Sequence, residues 1–155
     1  AKGVTVTEPV ITKIRTSRTR QMAQPGGRPM SEAERRADER LGRHKVEVMA
    51  EIEAAVAGLE SLCAERPAAP AAEIYRLASR VLDLAGFFDT GPLFEAGYSL
   101  ADVADRMAAT GAWDWPPVQV HVQALRLILK AGCERNAATD HLLAGLKAVA
   151  VKTRA

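Results

Sequence analysis

The stretch Ile74-Tyr75-Arg76-Leu77-Ala78-Ser79-Arg80-Val81-Leu82-Asp83-Leu84-Ala85-Gly86 decides how the rest of this chain is read. Its apolar residues Ile74, Leu77, Ala78, Val81, Leu84 and Ala85 recur at spacings of three and four, which puts them on one face of an α-helix. The stripe extends to Phe88. The rigid connector Pro67-Ala68-Ala69-Pro70 precedes it and the break Asp89-Thr90-Gly91-Pro92 follows it, so a helix is expected from about Ala71 to Phe88.

Downstream the same grammar repeats. Thr90 or Asp89 can cap the next helix with Pro92 in its first turn. That helix carries Leu93, Phe94, Gly97, Leu100, Val103, Ala104 and Met107 and stops at Thr110-Gly111. Asp114 suits an N-cap, with Pro116 and Pro117 in the turn behind it. Val118 to Gln123 alternates like a strand, but the apolar set continues through Leu125, Leu127, Ile128 and Leu129, and no partner strand is at hand, so a helix is expected. Being apolar around most of its circumference, it is either central to a bundle or shared with a second copy, which permits a homodimer. A last helix starts at Asn136 and carries Ala138, Leu142, Leu146 and Val149, with Lys147, Lys152 and Arg154 suited to its C-terminal end.

Upstream, Ser31-Glu32-Ala33-Glu34 has the form of a capping box. Behind it Leu41, Val48, Ile52, Ala55, Val56, Leu59, Leu62 and Cys63 mark one long amphipathic helix ending near Arg66-Pro67, its first turns so charged that they project or fray. Before Ser31 the break Pro25-Gly26-Gly27-Arg28-Pro29 reads as a hinge. Residues 1–30 read as a flexible arm and residues 31–155 as the folded domain. The fold class is all-α: an antiparallel bundle of about five helices, the first of them long.

Composition narrows the function. In 155 residues with 5% aromatics no apolar run approaches the roughly 20 residues that span a bilayer, so a soluble, cytoplasmic protein with no membrane partner is expected. The arm holds Lys2, Lys13, Arg15, Arg18, Arg20 and Arg28 against Glu8, a net +5 that leaves −3 for the rest of a chain whose total is +2. Those cations could neutralise phosphates, but the arm has no aromatic residue to stack on bases and the domain behind it is acidic, which weighs against nucleic acid. Cys63 and Cys133 stand alone, outside any metal-ligand or redox spacing, and read as small buried hydrophobes; no cofactor is implied. No Gly-rich phosphate loop, Gly-x-Ser-x-Gly or His-Glu-x-x-His occurs, and no enzyme is expected.

With its break and following helix, the opening stretch resembles the central hairpin of a histidine-phosphotransfer (HPt) domain, in which a helix carries His-x-x-Lys-Gly. Here Ser79 stands at the histidine position, Leu82 at the lysine position and Asp83 at the glycine position. The resemblance covers roughly residues 71–109. Together with the basic arm and the Pro-Gly-Gly hinge, the core is also similar to small accessory proteins of alphaproteobacterial chemotaxis clusters. It implies a signalling scaffold that binds a response regulator or histidine kinase without passing phosphate, with Ser79, Leu82, Asp83 and Phe87 marking the partner-binding surface.

Two other classes stand beside it. An active phosphotransfer protein would have to use His44, His121 or His141, none of which has the lysine and glycine of the HPt spacing. A nucleic-acid-binding protein would use the basic arm. The aromatics Phe87, Phe88, Tyr98, Trp113 and Trp115 either plug the ends of the bundle or, at Phe87 or Trp115, anchor a partner.

Overall fold

The computed structural model describes residues 31–88 and 90–154. The expectations for the arm and its hinge lie outside the described residues, as does Asp89. Five helices follow one another among the described residues: α1 Glu32–Glu65, α2 Ala71–Ala85, α3 Gly91–Thr110, α4 Trp115–Lys130 and α5 Ala137–Lys152. The all-α bundle and the long first helix are as expected.

Packing divides the chain inside α1, after Asp38. In the described part of the first unit the capping box is formed: the Ser31 amide donates to the Glu34 carboxylate at 2.7 Å and the Glu34 amide to the Ser31 hydroxyl at 3.2 Å. The second unit runs from Glu39 onward and holds the core.

In that unit α3 is the central helix, packed against α2, α4 and α5. The reason is its composition: Ala96, Gly97, Ala101 and Ala104 let neighbours approach closely while Leu93, Leu100, Val103 and Met107 fill the interior. The part of α1 from Val48 to Cys63 buries its stripe, with Gly58 facing Leu77 of α2 and Glu53 and Glu60 paired to Arg126 of α4. Leu41, counted in that stripe from its spacing, is 61% exposed instead, because the charged opening of α1 offers it no apolar neighbour to bury against. The strand-like stretch Val118–Gln123 is helical, as expected.

Two helix ends differ from expectation. Helix α2 stops at Ala85 rather than Phe88: the Gly86 amide still reaches the Leu82 carbonyl, but the Phe87 amide tightens onto Leu84 at 3.2 Å. Thr90 precedes α3 without capping it through its side chain; its hydroxyl donates to the Ala85 carbonyl at 2.6 Å and so closes the helix before it. Asp114 likewise precedes α4 with no side-chain cap bond, although the prolines do occupy the first turn. Asn136 forms a full capping box with Thr139, at 2.9 and 3.0 Å. At the end of α3, Gly111 takes φ 68, the left-handed turn that a side chain would oppose.

Aromatic placement is mixed. Trp113 and Trp115, at the α3–α4 connection, are half-buried, meet edge to face at 5.6 Å and pack on the core, and Phe88 packs on it at the other end of α3, so these three do plug ends. Phe87 and Tyr98 do not; they stand in solvent.

Candidate functional site: the α2–α3 surface and its groove

The site begins with how α2 and α3 fit. A Cβ on Gly97 would lie 3.5 Å from the side chains of both Leu82 and Val81, so Leu82 rests on α3 at its only glycine in the middle turns. Ser79, Leu82 and Asp83 are three and four residues apart and share one flank of α2. Ser79 and Leu82 are half-buried and Asp83 is exposed. Phe87 is not with them. It stands on the α1 side of α2, 69% exposed, its ring 6.4 Å from that of His44. Arg80, paired to Glu51 of α1, marks the same side. The four residues singled out from the sequence therefore fall into two groups.

The same two helices carry exposed aromatics outside the first group, of which the sequence reading gave Phe94 to the apolar set and Tyr98 to the aromatics at the bundle ends. Tyr75 of α2 and Phe94 and Tyr98 of α3 are exposed, Tyr98 to 63%. Phe94 and Tyr98 are four apart on α3 and form one wall of an open groove of about 560 Å³, whose other wall is Leu143, Leu146, Ala150 and Val151 of α5. Helical spacing alone could have flagged Phe94 and Tyr98, since both fall outside the Leu93, Gly97, Leu100, Ala104 stripe.

The rim of this groove carries charges of both signs. Its acids are taken: Glu95 pairs with Arg135, and Asp102 accepts from Arg106 at 2.8 Å with Arg154 at 4.0 Å. Arg106 also donates to the Ala150 carbonyl at 3.0 Å and so ties α3 to α5. Lys147 has no ion pair among the described residues. The charges that line the groove, Glu95 and Asp102 against Lys147 and Arg154, balance, and of the four Lys147 alone is unpaired among the described residues.

At the floor, Ser99 lies 2.8 Å from Nε2 of His121, whose Nδ1 lies 2.7 Å from the Pro117 carbonyl. A carbonyl only accepts, so Nδ1 carries the proton and the Ser99 hydroxyl donates to Nε2. His121 is fully buried, and burial, with the nearby Arg106 charge, pushes its imidazole below the ordinary value while the Pro117 bond pulls the other way. With both nitrogens engaged inside the bundle, His121 is a clasp between α3 and α4 with no access to a partner. His44 and His141 are exposed, on α1 and in the first turns of α5.

Cys63 and Cys133 are buried free thiols, 9% and 7% exposed, and burial raises both. Among the described residues no cluster of three or more metal-ligating side chains occurs, and no helix is long and apolar enough to cross a membrane.

No family model, curated protein or solved structure matches the chain.

Proposed function

We propose that this protein is a non-catalytic, cytoplasmic signalling adaptor that binds the receiver domain of a response regulator, or a histidine kinase, through the α2–α3 surface. The observation that carries the reading is the exposed pair Phe94 and Tyr98 of α3, the helix on which Leu82 rests, at the mouth of a groove lined by Lys147 and Arg154. Exposed aromatics are the side chains that most often anchor an interface. A receiver presents a cluster of aspartates, which the unpaired Lys147 beside an apolar floor complements. Ser79 at the phosphorylated-histidine position of the resemblance offers no imidazole to such a partner.

Mixing the full chain with a panel of receivers and kinases from its native cell, by titration calorimetry, tests the reading. At least one should bind, and Tyr98→Ala should weaken that complex about 30-fold while leaving helicity unchanged. Radiolabelled phosphate on the receiver should not pass to the chain. Failure of the whole panel to bind would sink the proposal, and label on His44 or His141 would replace it with phosphotransfer.

A further inference from the structure

A serine inside a helix ordinarily turns its hydroxyl to solvent or back to the carbonyl four residues earlier. Ser99 does neither. Among the described residues its hydroxyl has one hydrogen-bond partner, Nε2 of His121 on α4, at 2.8 Å. The ring is fixed in turn by Nδ1, which donates to the Pro117 carbonyl at 2.7 Å. A hydroxyl held against a base that a third group orients is the arrangement that activates a nucleophile.

The pair also has a side open to a substrate. Ser99 is only half-buried and lines the α3–α5 groove of about 560 Å³, whereas His121 is fully buried. Whatever reaches Nε2 therefore reaches it past Ser99. Burial also holds the imidazole below its ordinary value and so neutral at pH 7, the form that can take a proton. The geometry points to Ser99 being a nucleophile that accepts an acyl group from an activated carboxylic ester, a thioester included, and keeps it in the groove. This stands on Ser99, His121 and the groove lining, and not on the adaptor reading.

In the step, Ser99 Oγ attacks the carbonyl carbon while Nε2 takes the hydroxyl proton. The tetrahedral intermediate then expels its oxygen or sulfur leaving group, Nε2 returns the proton to that atom, and Ser99 carries the ester. The backbone amides around Ser99 are bonded within α3, so the donor for the developing oxyanion is Lys147, which lines the groove without an ion pair among the described residues.

The groove selects an acyl chain over a phosphoryl group. Phe94 and Tyr98 face Leu143, Leu146, Ala150 and Val151 across it, walls that bury carbon and offer a phosphate no partner. Toward one end Asp102 and Arg154 stand 4.0 Å apart, so the apolar course runs the other way, from Ser99 back to Phe94, where Glu95 is taken up by Arg135. Over those five residues α3 rises about 7.5 Å, the reach of a chain of about six carbons. A chain laid over the ester keeps water from Nε2, and the acyl group stays.

Stopped-flow mixing of the full chain with p-nitrophenyl hexanoate reads the step. One equivalent of p-nitrophenolate should appear in a burst, with later release much slower, and peptide mass spectrometry should find hexanoyl on Ser99. p-Nitrophenyl acetate should react about 10-fold more slowly, because its methyl buries little of the groove. His121→Gln keeps an acceptor for Ser99 but no base, and should slow the burst about 100-fold or more with circular dichroism unchanged. Lys147→Met, at an exposed position, should slow it roughly 10-fold. A wild type without a burst overturns the proposal. So do a burst that survives His121→Gln, hexanoyl on Tyr98 or Lys147 in place of Ser99, and later release as fast as the burst, since the acyl group would then not be held. Receiver binding by calorimetry is read separately, so either reading can fail without the other.

Discussion

The hairpin α2–α3 and the pair α4–α5 use the same residue types, alanine, leucine, valine and one glycine in a helix interior, yet they end up differently. At Gly97 a Cβ would touch Leu82 and Val81 at 3.5 Å; at Gly145 it would touch nothing. The first pair is closed by its own side chains and turns exposed aromatics outward. The second is splayed, with an apolar groove between its helices. An apolar helix therefore does not reveal whether its partner lies within the chain. That depends on whether small residues of one helix coincide with large residues of its neighbour.

The largest effect that separates the two regions comes from truncating a leucine in each. Leu100 of α3 is fully buried, and Leu100→Ala should cost about 2–5 kcal/mol, transfer and cavity terms together. Leu127 of α4 is 50% exposed, and Leu127→Ala should cost less than about 1 kcal/mol in the dilute chain. Urea denaturation of both variants checks the contrast. Comparable losses would mean that the α4–α5 groove is closed in solution.

Overpacking comes next. Gly97→Leu forces a branched side chain between α2 and α3, where Leu82 already sits, and should cost about 1–3 kcal/mol. Measured the same way, Gly145→Leu should leave the dilute protomer unchanged or slightly more stable, because its position is open and leucine favours a helix. A loss at Gly145 equal to that at Gly97 would remove the distinction between the two pairs.

Much of this architecture is legible in the sequence, and the part that is not has a common cause. Helix identities followed from three-and-four spacing and from breaks at Pro67, Pro92 and Gly111, which act on the local backbone and need no neighbour. The Ser31–Glu34 box formed as its spacing implied and Asn136 caps the last helix as expected, to which the structure adds the reciprocal bond from Thr139. Leu41, Thr90 and the position of Phe87 were not legible, because each depends on what another element brings. The Thr90 hydroxyl could accept from an amide of α3 as a cap or donate to a carbonyl, and it donates to the terminal carbonyl of α2. In the site, Ser79, Leu82 and Asp83 share a flank as helical spacing requires, whereas Phe87 left that helix when α2 stopped at Ala85. Tyr98 was legible in part: its spacing sets it off the Leu93, Gly97, Leu100, Ala104 stripe, whereas the groove it opens onto depends on where α5 packs.

The polar clasp joining the two regions gives a smaller, pH-dependent effect. Ser99 of α3 bonds to His121 of α4, so Ser99→Ala leaves Nε2 buried without a donor and should cost about 1–3 kcal/mol, towards the lower end because Ser99 is only half-buried. The folded state holds His121 below its ordinary value of 6.5, mainly by burial, so it binds a proton less readily than the unfolded chain does. The stability supplied by neutral His121 is therefore present above pH 6.5 and is lost as pH falls below it towards the folded value, by at most about 1.4 kcal/mol per pH unit. His121→Gln keeps an amide that can accept from Ser99 but removes the proton site. Urea midpoints between pH 7 and pH 5 should fall less steeply for it than for the wild type; parallel slopes would show that His121 does not titrate differently on folding.

The smallest change is also the most local comparison. Gly145→Ala should stabilise the dilute chain by about 0.5–1 kcal/mol, because alanine restricts the unfolded backbone and its methyl enters open space. Gly97→Ala carries the same backbone gain, and its methyl meets Leu82 and Val81 at ordinary contact distance, 3.5 Å, so it adds buried contact as well. The gain at Gly97 should therefore equal or exceed that at Gly145, read from thermal unfolding in dilute solution. A loss at Gly97 beside a gain at Gly145 would place α2 and α3 closer than alanine allows and widen the contrast between the pairs. Losses at both would show that the α4–α5 groove is occupied even in the dilute chain, since a methyl in open space has no means of destabilising a helix.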